Sequence, residues 1–84
     1  MFGNNQLNEL IELLLSIRTK DDMEDFLFGI LTPKELQEIP TRLQIVKRLK
    51  KGIPQHKVAE ELKVGIATVS RGSREIKLGR FRVV

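Results

Sequence analysis

Apolar side chains recur every three or four positions along most of this chain, the period of an amphipathic helix. Leu7, Leu10, Ile11, Leu14 and Ile17 form the first such stripe. Leu13 and Leu15 lie off it, so this helix is apolar over much of its circumference and calls for partners on more than one side. Residues 1–5 precede the stripe and are expected to fray. Asp21 and Asp22 mark the start of a second helix, because the helix dipole favours acidic residues in the first turn. Met23, Phe26, Leu27 and Ile30 are its expected buried side, with Gly29 weakening its end.

Thr32, Pro33 and Glu35 spell a helix start: an N-cap threonine, a proline at the first helical position and a glutamate that completes a capping box. Leu36, Ile39, Leu43, Val46 and Leu49 follow at helical spacing. Pro40 lacks a backbone N–H and is expected to kink or split this helix, with Thr41 able to cap the second part. Lys47, Arg48, Lys50 and Lys51 before Gly52 make a typical helix C-terminus.

Residues 54–78 read as two short helices joined by a tight turn, the pattern of a helix-turn-helix. Val58, Ala59 and Leu62 share one face, and Val64 and Val69 close a small core with them. Ala59 is small where the helices cross. Lys63 falls in the turn, where a left-handed conformation costs roughly 1 kcal/mol relative to glycine. Gly65 is placed to cap the second helix or open the turn. Ile76 and Leu78 are its last expected buried contacts, Gly79 ends it, and residues 79–84 form a basic tail. An ordinary helical hairpin in an all-α domain is the plainer alternative.

Eighty-four residues make one domain, with residues 1–51 as a helical core for dimerisation and 54–78 as the reading head. A core this small leaves oligomerisation as a natural source of stability. The chain has no cysteine, which excludes disulfides and thiolate metal sites and suits a reducing cytoplasm. Residues 7–17 are interrupted by polar groups and lack a basic leader, so neither a secretory signal nor a membrane span is expected. The net charge of +4 is unevenly spread. Residues 1–44 hold four basic and eight acidic side chains, whereas residues 45–84 hold eleven basic and three acidic. A basic surface alone is commonly just solvated, but beside a helix-turn-helix it favours nucleic acid. One histidine and no distinctive nucleophile, carboxylate or metal-ligand spacing argue against an enzyme.

Gln55 can donate to a phosphate at the start of the first helix, and the Gly65 backbone can approach one closely. Ile66, Ala67 and Ser70 face outward on the second helix. Lys57, Arg74, Lys77 and the tail residues Arg80 and Arg82 are expected phosphate partners, while His56 by itself reads as a solvated side chain.

The run Gly65, Ile66, Ala67, Thr68, Val69, Ser70, Arg71, Gly72 and Ser73 resembles the bacterial tryptophan repressor family. Leu31, Thr32, Pro33, Glu35, Thr41, Arg42, Ile45, Val46, Leu49, Gly52, Gln55, Glu61, Leu62 and Lys77 extend the resemblance over roughly half of the chain. The ending Arg71, Gly72, Ser73 is its most specific part, because a generic helix-turn-helix does not require it. The resemblance implies an all-α, intertwined homodimer that binds operator DNA as a transcriptional repressor in the bacterial cytoplasm. No cofactor is implied, but L-tryptophan is a possible corepressor. Arg42 and Arg71 would flank its indole, with Thr32 and Arg71 holding its carboxylate. Leu31, Glu35, Val46, Thr68 and Gly72 fall at other pocket positions, and Thr68 also lies on the DNA side. His56 occupies a position where the family can have a base-reading arginine, so the resemblance would make it a base contact. Glu75 replaces a small hydroxyl residue, so it would meet the ligand ammonium or change the effector. The chemistry is sound, since a guanidinium pairs bidentately with a carboxylate and stacks on an indole.

Plainer roles stand beside these. Arg71 can be a phosphate contact, Arg42 an ion-pair partner for Glu38, and Thr32 a cap alone. A ligand-independent DNA-binding regulator of the same fold is the main alternative, and a helical protein-interaction module is a further one.

Overall fold

A computed structural model describes residues 4–84, all of whose regular elements are helices. α1 spans Asn4–Ser16, α2 Lys20–Ile30, α3 Pro33–Lys50, α4 Gln55–Leu62 and α5 Ile66–Lys77. The expected fraying covers residues 1–5. Its first three lie outside the described residues, and Asn4 and Asn5 already belong to α1.

The helix starts follow local chemistry. Thr19 begins α2 by accepting a hydrogen bond from the Asp22 amide at 3.1 Å, so the helix opens one residue before the acidic pair. The start of α3 is a full capping box: the Glu35 amide donates to Thr32 Oγ1 at 3.2 Å, and the Thr32 amide donates to Glu35 Oε1 at 2.9 Å. Pro40 does not split this helix, which runs unbroken for 18 residues. Thr41 accordingly caps nothing; its hydroxyl donates back to the Gln37 carbonyl at 2.8 Å.

Three helices end in the same way. In each, a residue one or two positions past the helix takes a positive φ and two amides turn back to the last carbonyls. After α3, Gly52 (φ 87°) donates to Leu49 O and Ile53 to Arg48 O. After α5, Gly79 (φ 94°) donates to Ile76 O and Arg80 to Glu75 O. After α4 the same place holds Lys63 (φ 55°, ψ 47°), which donates to Glu60 O while Val64 donates to Ala59 O. The left-handed turn expected at Lys63 is therefore present.

The chain divides into two units, Met1–Leu36 and Gln37–Val84. In the first, no described side chain is buried, and Leu15, Phe28 and Ile30 are largely exposed. Ile30 thus leaves the buried side expected of it. In the second, Ile45, Val58 and Val69 form the core, with Leu49, Ile53, Ala59, Leu62 and Val64 packed against them. The stripe read along α3 shifts accordingly. Val46 is buried, but Ile39 and Leu43 are exposed and Ile45 takes the central place. Leu78 is also exposed, because α5 has ended before it.

Candidate nucleic-acid interface and ligand cavity

α4 and α5 pack on each other through Val58, Ala59, Leu62, Val64 and Val69, with Lys63, Val64 and Gly65 as the connection. α2 and α3 start on threonine side chains, but α4 and α5 do not. Pro54 and Gly65 stand at the two N-cap positions, and neither supplies a side-chain hydrogen bond. The first amides of both helices are thus left to solvent or to an anion, and the helix dipole favours the anion.

Around these starts lie the residues expected to meet DNA. His56, Lys57, Gly65, Ile66, Ala67, Thr68, Arg74 and Lys77 are all exposed. Ser70 and Gln55 are half-buried and bonded to each other, Ser70 Oγ donating to Gln55 Oε1 at 2.8 Å. This bond ties the middle of α5 to the start of α4. It also occupies the amide oxygen of Gln55, so the Nε2 group is what remains to donate outward.

A cavity of about 270 Å³ opens between α3 and α5. Arg42, Ile45 and Val46 line it from α3, and Ala67, Thr68, Arg71 and Gly72 from α5. Phe81, from the segment after α5, completes the wall. Gly72 explains how the two helices come so close: a Cβ there would stand 3.2 Å from Ile45 Cγ2 and 3.8 Å from Leu49 Cδ1. A second groove, of about 410 Å³, shares Arg42 and Thr68 with the first. Gln37, Glu38, Thr41, Val64 and Gly65 line the rest of it. Two guanidinium groups, a hydroxyl and an aliphatic floor can receive a small planar anion.

Of the residues expected around a ligand, this cavity brings together Arg42, Val46, Thr68, Arg71 and Gly72. Leu31, Thr32 and Glu35 belong to the first unit, where Leu31 ends α2 and the other two build the capping box. Glu75 is half-buried and does not line the cavity; its carboxylate stands 3.8 Å from Arg80 Nε. No ion pair joins Arg42 to Glu38 among the described residues. Sequence reasoning missed Ile45 and Phe81 as lining residues and placed Ala67 only on the DNA side. The signal for Phe81 was Gly79, since a glycine that ends a helix in a left-handed turn sends the chain back over it.

The residues 79–84 read as a basic tail are consequently an ordered return. Phe81 (φ 62°) is half-buried, and the Val84 amide donates to its carbonyl at 3.1 Å. Lys50 Nζ donates to the same carbonyl and to the backbone oxygen of Val84 at 3.2 Å.

Two short helices locked by a left-handed turn, uncapped at their starts and set in the basic half of the chain, define a helix-turn-helix regulator of DNA. Known proteins agree with that class. The sequence profile described as Trp repressor protein matches residues 5–82. A "Trp operon repressor homolog" of Vibrio campbellii is 36% identical over 70 residues, covering 82% of this chain and 70% of the relative. One from Actinobacillus succinogenes is 36% identical over 72 residues, covering 84% and 71%. Another, from Mannheimia succiniciproducens, is 39% identical over 74 residues, covering 87% and 73%. No solved structure gives a significant match. The chain belongs to the Trp repressor family. It is, as such, a DNA-binding repressor of transcription and not an enzyme. None of its described helices is long and apolar enough to cross a membrane.

Proposed function

We propose that this protein is a homodimeric operator-binding repressor of the bacterial cytoplasm whose grip on DNA is set by a small aromatic amino acid, L-tryptophan being the first candidate. One observation carries the reading: Arg42 and Arg71 line a single cavity together with Ala67 and Thr68, residues of the recognition helix itself. A guest held there touches the helix that reads DNA. It acts by favouring one pose of that helix, to the extent that it binds that pose better.

The uncapped starts of α4 and α5 support phosphate contacts by Gln55 and Gly65, with His56, Lys57, Arg74 and Lys77 around them. Ile66, Ala67, Thr68 and Ser70 supply the outer side of α5. Leu31, Thr32, Glu35 and Glu75 complete the ligand set that the family resemblance implies. Pairing of two copies is supported by the first unit, where no described apolar residue is fully buried and Leu7, Ile11, Leu13 and Leu15 stay exposed. A palindromic operator with half-sites about 34 Å apart then meets both heads.

Anisotropy of a labelled palindromic duplex, titrated with and without L-tryptophan, tests the reading. The expected difference is about 5- to 150-fold in affinity, the usual range of such coupling. Equal affinities reject tryptophan as corepressor. A ligand-independent regulator of the same fold is the second reading, favoured by the pairing of Glu75 with Arg80 rather than its presence in the cavity. Calorimetry with a panel of amino acids and indole compounds separates the two.

A further inference from the structure

The residues after α5 do more than end the chain's helical part. The turn at Gly79 reverses the backbone, with Arg80 donating to Glu75 O and the two side chains within ion-pair distance. Phe81 then adopts φ 62°, a left-handed conformation that is a genuine outlier for a bulky residue. Such a conformation persists only where the surroundings over-determine it. Here they do: the Val84 amide and Lys50 Nζ both bond the Phe81 carbonyl, and Lys50 also reaches the Val84 oxygen. The outcome of this arrangement is one aromatic ring set in the wall of the cavity that holds Arg42 and Arg71.

We propose that residues 79–84 form a strap, latched by Lys50, whose Phe81 ring is the aromatic wall of the effector cavity and selects planar aromatic guests. The selectivity rests on the ligand-control reading above; the latch itself does not. A guest lying against the two guanidinium groups presents a ring edge or face to Phe81, an aromatic contact that an aliphatic guest cannot make. Closure of the strap and occupancy of the cavity then favour each other, because each supplies surface that the other needs. Lys50 touches no guest. Its role is to position Phe81 through the backbone.

The chain contains no tryptophan or tyrosine, so a single introduced indole reports alone. In Phe81→Trp without any ligand, the indole should be shielded from acrylamide. Adding Lys50→Met should raise the quenching constant about twofold, as the strap loses two hydrogen bonds from a charged donor. Equal quenching in the two variants overturns the strap, whatever any ligand does. In calorimetry, Phe81→Ala should weaken L-tryptophan binding about three- to tenfold, with Phe81→Leu restoring little of it. Unchanged affinity in Phe81→Ala overturns the role of the ring as a wall. A shielded indole combined with no tryptophan heat in the unmodified protein supports the latch and overturns the ligand-control reading instead.

Discussion

The first unit of the chain buries none of its described side chains, whereas the second encloses Ile45, Val46, Val58 and Val69 almost completely. Both are helical and both carry strong apolar stripes. The difference lies in how the apolar residues are spread. In the second unit they converge from three helices on one point, so a few small side chains suffice to exclude water. In α1 they surround the helix, leaving Leu7, Ile11, Leu13 and Leu15 exposed together. A reading head can be completed within one chain. A helix that is apolar on several sides needs partners on several sides, and under the proposed function a second copy takes one of those places.

Truncation in the two units gives the largest contrast. Ile45→Ala should cost about 2–5 kcal/mol in urea unfolding followed by circular dichroism, because it empties the centre of the core that α3 shares with α4 and α5. Leu15→Ala, at a side chain 80% exposed in the single chain, should cost under about 0.5 kcal/mol if that exposure persists in solution. Pairing of two chains predicts instead a loss of about 1.5–3 kcal/mol that varies with protein concentration. A small effect at every concentration would break the comparison.

Lys63→Gly removes the one left-handed penalty in the head's turn and should stabilise it by roughly 1 kcal/mol. That corresponds to about 4–8 °C in the melting temperature of a domain this size. The smallest effect sharpens the charge contrast between the halves. Lys77→Ala should weaken binding to all duplexes alike and lower the salt slope by about 1. An unchanged slope in a log–log salt titration would remove Lys77 from the phosphate contacts.

What the sequence made legible was what neighbours along the chain decide. Thr32, Pro33 and Glu35 announce a helix start because all three parts of the cap lie within four positions. The pairing of Val58 and Val69 was readable because α4 and α5 are short and their connection is only three residues long. Periodicity placed Val46 and Leu49 of α3 correctly but took Leu43 in place of Ile45, since both fit apolar stripes and only the approach of α5 selects Ile45. Pro40 is expected to kink or split its helix, and it does not split it: one lost donor is a local cost that the rest of the helix outweighs. Of the cavity, Arg42 and Arg71 came from family resemblance, while Phe81 depended on a backbone reversal that composition cannot express. Ser70 looked like an outward group, and its bond to Gln55 is visible only when α4 and α5 are set side by side.

Gly72 meets two demands at once. Its missing methyl lets α5 rest on Ile45, and the same bare stretch of backbone lines the cavity. A side chain placed there crowds Ile45, whose methyl must give way, and takes up wall of the cavity as well. New effector preferences are therefore more open to change at Phe81, which lines the same cavity from outside the contact between the two helices.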